Sequence, residues 1–329
     1  MAVISIIIPA LNEERALPAC LDALVAQTLP VNQFEVIVVD NGSVDRTLRI
    51  ARSFESLLPM RIVEKDGCSI AALRNLGAKL ARANLLAFLD ADCIAKPNWL
   101  SFALHILEER KGGVFGAGYQ IPENSAWVAR AWYGSENKKS GRVSYISGGN
   151  LIVSREEFLA AGGFDENLET SEDWEFCRRA ASRAIPIHAD PNLAVVHLGT
   201  PQTLREFYRK QYWHGTHALK AVIRSANGFR GGRAAWFAVW TLLSMCGFLL
   251  GLTATALGGG VWVMVAGTAS LLAAPIVLSG RTALARSNFF LVFPLMPLYL
   301  AYGTARALCL TGFSLPRPTK PVVPDSPIG

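Results

Sequence analysis

Ala234 to Gly280 contains no Asp, Glu, Lys or Arg. A run of that length is enough for two membrane-spanning helices, and it constrains the rest of the chain. Ala235–Leu257 and Val261–Leu278 read as a hairpin of two spans around Gly258-Gly259-Gly260. Each is about 20 residues, or roughly 30 Å at 1.5 Å per residue. Arg224, Arg230 and Arg233 precede the hairpin, and Arg281 and Arg286 follow it. Positive residues stay on the cytoplasmic side, so both ends are expected there. A third apolar stretch, residues 288–313, is interrupted by Pro294 and Pro297 and contains Arg306. A third span and a re-entrant or interfacial segment both fit it. Upstream, Leu204–Arg224 interleaves Arg205, Arg209, Lys210, Lys220 and Arg224 with Phe207, Tyr208, Tyr212 and Trp213. That pattern suits an interfacial helix lying in lipid headgroups.

The mean hydropathy of +0.28 is therefore concentrated in the last third. Residues before about 230 read as globular sequence. A net charge of +6 fits a protein lying against an anionic leaflet. Basic and aromatic residues form no stripe through the globular part, so nucleic acid is not expected as a partner. Six scattered cysteines without a Cys-x-x-Cys pair indicate neither a zinc site nor a disulfide framework, and suit a reducing compartment. Met1–Pro9 lacks a basic start and runs into Asn12-Glu13-Glu14-Arg15, so it is expected to be a buried strand rather than a signal peptide.

The first 110 residues alternate apolar runs with helical patterns. Strands are expected at Val3–Ile8, Phe34–Asp40, Met60–Glu64 and Leu85–Asp90, and helices at Glu14–Gln27, Asp45–Leu57, Ile70–Ala83 and Trp99–Glu109. Apolar strands alternating with helices imply an α/β fold with a mostly parallel, Rossmann-like sheet covered on both faces. Ligands bind outside the carboxyl ends of such strands. The clusters Asn12-Glu13, Asp40-Asn41-Gly42 and Asp90-Ala91-Asp92 should thus meet in one crevice. From Gly113 to about Val196 the alternation is less regular. A strand around Val143–Val153 is expected to contain Gly148-Gly149-Asn150, and a helix to open at Ser171-Glu172-Asp173. The expected organisation is 1–112 and 113–200 as two halves of one domain, 201–233 interfacial, 234–313 membrane region and 314–329 a flexible tail.

Asp90 and Asp92 end an apolar strand one residue apart, and extended geometry would point both to one face. Like charges roughly 6–7 Å apart repel by about 2–3 kcal/mol at an effective dielectric near 20. A divalent cation holding substrate phosphates would neutralise them. A solvated turn with an Asx cap is the other reading. Asp173 has two readings as well, a helix-capping residue or a functional carboxylate.

In order, Pro9–Glu13, Val38–Thr47, Arg74-Asn75-Leu76-Gly77, Asp90-Ala91-Asp92, Gly148-Gly149-Asn150 and Glu172-Asp173 form a series. Over about residues 3–200 it resembles the inverting glycosyltransferases of family 2, which have the GT-A fold. The resemblance implies that Pro9, Ala10, Glu13 and Asp40 hold the nucleobase and ribose of a nucleotide-diphosphate sugar. It places Arg74 toward the pyrophosphate, although pairing with a carboxylate is the alternative. It implies Asp90 near the ribose and metal, Asp92 as the main ligand to Mg²⁺ or Mn²⁺, and His197 as a further ligand or a structural residue. Asp173 matches the general base, with Glu172 beside it. Processive members carry a Gln-x-x-Arg-Trp motif, whereas this chain has Arg209-Lys210-Gln211-Tyr212-Trp213 near that place. The expected reaction is therefore transfer of one sugar to a lipid-linked or glycan acceptor, with Arg209 and Trp213 near its headgroup. The catalytic domain would face the cytoplasm at the inner (plasma) membrane. Two alternatives remain: a nucleotidyltransferase on a related sheet, which usually opens with a Gly-rich phosphate loop where this chain has Pro9–Glu13, and a non-catalytic membrane scaffold with this fold, whose signature would be lost carboxylates.

Overall fold

A computed structural model describes residues 2–134, 140–168, 170–224 and 233–312. The tail expected at 314–329 lies outside the described residues. The chain divides into two compact units, one of residues 1–123 with 136–199, the other of 124–135 with 200–321.

The first unit begins with β1 (Ile4–Ala10), α1 (Leu17–Val25), β2 (Phe34–Asp40), α2 (Thr47–Ser53), β3 (Met60–Glu64), α3 (Ile70–Leu80) and β4 (Leu85–Leu89). Every residue of β1, β2 and β4 is buried. The reason is the period of two: Ile4, Ile6 and Ile8 pack with α1 on one face, and Ile7 with α3 on the other. β3, β2, β1 and β4 run parallel in that order. β5 (Cys93–Ile94) and α4 (Trp99–Arg110) follow, then β6 (Val114–Gly116). α5 (Trp127–Tyr133) belongs to the second unit. The first unit continues with β7 (Gly141–Arg142), β8 (Asn150–Ser154), α6 (Arg155–Ala160), α7 (Glu172–Ser182), β9 (Ile187–Ala189) and β10 (Val196–His197).

β8 adds antiparallel to β4, and β6, β9 and β7 complete one eight-stranded sheet. The strands before and after residue 112 thus share a single sheet. β10 and β5 form a separate antiparallel pair, with His197 opposite Cys93. Two boundaries differ from expectation in ways that matter to the site. β4 stops at Leu89, so Asp90-Ala91-Asp92 forms a turn rather than a strand end. β8 starts at Asn150, so Gly148 and Gly149 lie in the turn before it.

The second unit contains α5 and four long helices: α8 (Leu204–Arg224), α9 (Arg233–Ala256), α10 (Trp262–Ala285) and α11 (Val292–Leu310). Trp236–Ala256, Trp262–Ala285 and Phe289–Leu310 are long and apolar enough to cross a membrane. The third apolar segment is thus a continuous helix of spanning length despite Pro294 and Pro297. Gly251 lies against the Met264 backbone and Gly267 against Phe248, where any Cβ would overlap main chain. These small residues bring α9 and α10 together, and a Ser244–Ser270 hydrogen bond of 2.8 Å joins them. Trp132 of α5 packs on Phe207, Tyr299 and Tyr302. Arg286 donates to the terminal carbonyls of Ala131 (2.6 Å) and Trp132 (3.0 Å), closing the end of α5.

Candidate active site

The carboxyl ends of β1 and β2 carry loops that are laced together. Asn12 N–H donates to Ser43 Oγ (2.8 Å), and Val44 N–H to Asn12 Oδ1 (2.9 Å). Glu13 N–H donates to Thr47 Oγ1 (2.6 Å). Asp40 is fully buried and accepts from Gly42 N–H (3.0 Å), Ser43 N–H (2.8 Å) and Ser43 Oγ (2.5 Å). Its carboxylate therefore shapes the turn beside Pro9 and Ala10, which end β1 and are buried. These four residues come together as the sequence implied, with Asp40 working through the turn it organises.

Arg74 sits on α3, whose apolar face covers the sheet. Only 2% of it is exposed. One arm donates to Asp90 Oδ1 at 2.6 Å, the other to Glu172 Oε1 at 2.5 Å. The alternative left open for it, pairing with a carboxylate, is the one observed, and it pairs with two. Burial works against its charge, and Asp90, Glu172 and Asp173 outweigh that effect, so the guanidinium stays protonated. Gly148 and Gly149 make this possible. A Cβ at Gly148 would press on the Arg74 guanidinium at 2.7 Å, and one at Gly149 would overlap the Asp90 carboxylate and the Tyr119 hydroxyl. The glycines admit these side chains to the crevice floor.

Asp173 is half-buried near the start of α7. Gly148 N–H donates to its Oδ2 at 3.0 Å and Trp174 N–H to its Oδ1 at 2.7 Å. Burial raises its pKa above the ordinary aspartate value, against those two donors and Arg74. Burial, then the charge of Asp173, raises that of Glu172, with Arg74 opposing. Ser171, the residue before the helix, has φ of 67° and no side-chain capping bond. Asp173 is thus held by one backbone donor within its helix, Trp174, and one from outside it, Gly148, and a capping role does not require the latter.

Asp92 points away from Arg74. Asp92, Cys93 and His197 each bring a donor atom within 4.8 Å of the other two. Asp92 Oδ2 lies 3.5 Å from His197 Nε2. Asp90, the other expected metal residue, is outside this group. Burial pushes the Cys93 thiol well up, so it is a neutral thiol and a poor ligand. A carboxylate and an imidazole remain, and the absent Cβ of Gly199 leaves the space against Asp92 Oδ2 that any other residue would fill. Two ligands with open positions fit an ion that also binds diphosphate oxygens. Tyr119 was not legible as a site residue. Its ring packs on His197 at 4.5 Å and its hydroxyl meets Ser147 Oγ at 2.6 Å, from a stretch without strand or helix periodicity. Arg209 and Trp213 both lie on α8, in the second unit.

A parallel half-sheet extended by antiparallel strands, with acidic turns at the ends of β2 and β4, is a GT-A-type fold. Residues 5–156, a little under half of the chain, match the profile of Glycosyl transferase family 2. Glycosyltransferase AglE of Haloferax volcanii is 28% identical over 75% of this chain and 81% of its own length. The dolichyl N-acetyl-alpha-D-glucosaminyl phosphate 3-beta-D-2,3-diacetamido-2,3-dideoxy-beta-D-glucuronosyltransferase of Methanococcus voltae is 24% identical over 65% of this chain and 72% of itself. Other relatives are far longer, and the chain spans only about a quarter of them (24% in two cases). The mannosyltransferase PcManGT of Pyrobaculum calidifontis, solved with GDP-Man and Mn²⁺, shares the fold. Its TM-score is 0.60 at 19% identity, over 93% of this chain and 87% of that one.

Proposed function

We propose that the chain is a membrane-bound, inverting glycosyltransferase that moves one sugar from a nucleotide-diphosphate sugar to a lipid-linked or glycan acceptor. It would act at the cytoplasmic face of the inner (plasma) membrane, its three apolar helices supporting the membrane location. The observation that carries the reading is Arg74, whose one buried guanidinium ties Asp90 to Glu172, the neighbour of Asp173.

Pro9, Ala10, Glu13 and the Asp40 turn form the nucleoside end of the crevice. Asp92 and His197 would hold Mg²⁺ or Mn²⁺, the latter present in PcManGT. When bound, the ion stabilises the negative charge that builds on the departing nucleoside diphosphate. Asp173 takes the proton of the acceptor hydroxyl, and its raised pKa makes it a stronger base than a solvated aspartate. Arg74 keeps Asp90 and Glu172 from repelling the incoming groups. One displacement from an α-linked donor gives a β-linked product.

The test is nucleoside diphosphate release by the detergent-solubilised full chain, across a panel of nucleotide sugars with and without Mn²⁺. Release is expected from one donor class, only with the ion, and Asp92→Ala should lower it by at least about a hundredfold. Pyrophosphate release from a nucleoside triphosphate, or full activity of Asp92→Ala, would refute the reading.

A further inference from the structure

Between α7 and the β7–β9 edge of the first unit runs a groove of about 260 Å³. Val143 and Ile187 form its apolar floor, Arg142 and Arg178 its charged walls, and Trp174 and Ser144 contribute the rest of its polar and aromatic lining. Among the described residues no acidic one lines it. Both of its walls continue into the site of Asp173. Trp174 follows Asp173 directly on α7, and Arg178 lies one turn further along the same face. The segment that enters the groove at Val143 and Ser144 ends at Gly148, whose N–H holds Asp173 at 3.0 Å.

The charge in this groove is only partly answered within the protein. Glu175 meets Arg178 at 3.3 Å, but its two oxygens are both bound by Arg179 Nε at 2.8 Å, and by Arg179 Nη2 at 2.7 Å. Arg178 Nε is buried without a hydrogen-bond partner among the described residues. A buried N–H left unpaired is unfavourable, and an oxyanion in the groove would pair it. His188, opposite Arg142 across β7 and β9, reports the same field. Burial, then Arg110 and Arg142, lower its pKa, so it adds no negative or positive charge of its own near neutrality.

We infer that this groove seats the acceptor saccharide, and that Arg178 and Arg142 select one bearing an oxyanion, a uronate carboxylate or a sugar phosphate. The inference rests on Asp173 being the base. Guanidinium forks match both oxyanions in geometry, and the flat face of Trp174 suits a sugar ring beside them. With the oxyanion held by Arg178, a hydroxyl of the same saccharide reaches Asp173. Its proton passes to the Asp173 carboxylate as the new bond forms between its oxygen and the anomeric carbon. The bond from that carbon to the diphosphate oxygen breaks, and its electron pair leaves with the nucleoside diphosphate.

Binding of three glycosides to the full-length protein tests this: 4-nitrophenyl β-D-glucuronide, the 6-phosphate of 4-nitrophenyl β-D-glucoside, and the neutral glucoside. At least one anionic glycoside should bind about tenfold or more tightly than the neutral one, and the tighter of the two identifies the oxyanion. Arg178→Gln should remove that gap and leave the neutral glucoside unaffected, while Arg178→Lys restores part of it. An unchanged melting transition verifies the variants, and Arg142→Gln, at an exposed position, should narrow the gap without disturbing α7. Equal binding of the three, no binding of either anion, or a loss shared by neutral and anionic glycosides overturns the inference. Absence of nucleoside diphosphate release from every nucleotide sugar is a separate result, and it defeats the transferase reading instead.

Discussion

Burial disfavours the charged form of Asp173, and that has consequences for both rate and stability. Its folded-state pKa lies above the unfolded value of about 3.9, chiefly through burial. For a carboxyl raised in this way, the favourable contribution to folding is fully present below the unfolded pKa and is lost as pH rises through the folded one. Above its folded-state pKa the ionised group therefore opposes folding, and its repulsion also raises Glu172. Asp173→Asn keeps an oxygen to accept from Gly148 N–H and removes the charge. It should lower kcat by about 10²–10⁴ while raising the melting temperature, each kcal/mol gained being worth about 2–4 °C. Thermal unfolding at pH 7.5 beside a turnover assay reads both, and a lower melting temperature would show that Asp173 is structurally required. In the wild type, kcat should fall on the acid side at a pH above that of an ordinary aspartate. Asp90 and Asp92 were legible as residues because acidic groups ending an apolar strand stand out, and Glu172 and Asp173 only through the resemblance. Their partners were not. Arg74 and Glu172 are 98 positions apart, and only the folded sheet brings them to 2.5 Å.

At the level of elements, the turn Gly148-Gly149 decides whether the two ends of the crevice communicate. Gly149 C=O accepts from Asp90 N–H at 3.1 Å, so the turn fixes the Asp90 backbone as well as admitting its carboxylate. Gly149→Ala introduces a methyl where Asp90 Oδ2 and the Tyr119 hydroxyl already sit. The side chains have to move, and displacements near 1 Å in such sites cost about a hundredfold in rate. A fall in kcat/KM of that order is expected, with β8 still folded by circular dichroism; unchanged kinetics would show that the Asp90–Arg74 contact is dispensable. The sequence placed these glycines inside a strand, because a Gly-Gly-Asn run ahead of Leu-Ile-Val reads as one apolar element. The four parallel strands were legible since each is five to seven residues long, with β1, β2 and β4 buried throughout and Met60 and Ile62 of β3 half-buried against the core. β5, β7 and β10 have two residues each, and β6 and β9 three, too few for any period to show. α5 is a regular helix of seven residues whose place in the second unit depends on Arg286 and three aromatic rings far along the chain. No local signal carries that.

For the whole molecule, charge and fold divide along the same line. Residues 124–135 and 200–321 hold thirteen Lys and Arg against a single acidic residue, Glu206. The rest of the chain holds nineteen against twenty-five. Positive charge thus accompanies the apolar helices, as anionic headgroups would favour, and the acidic remainder carries Asp90, Asp92 and Asp173. The same charges predict an orientation. Arg224 and Arg230 precede α9, Arg233 opens it, and Arg281 and Arg286 close α10, so both ends of that hairpin are expected in the cytoplasm. α11 is then expected to begin on the cytoplasmic side. Its 19 residues cover about 29 Å, close to the roughly 30 Å hydrocarbon core. Arg306 lies four residues from its end, where its guanidinium donates to Gln211 Oε1 of α8 at 3.4 Å and stacks over the Tyr302 ring, so its charge has partners within the second unit. With three crossings the end of α11 is expected on the opposite side, the five arginines around the hairpin outweighing Arg317 and Lys320 of the sequence that follows. An alkaline phosphatase fused after Gly329 should therefore be active, and a green fluorescent protein at the same position dark. Fluorescence with an inactive phosphatase would make the third segment re-entrant and return the tail to the side of the catalytic domain.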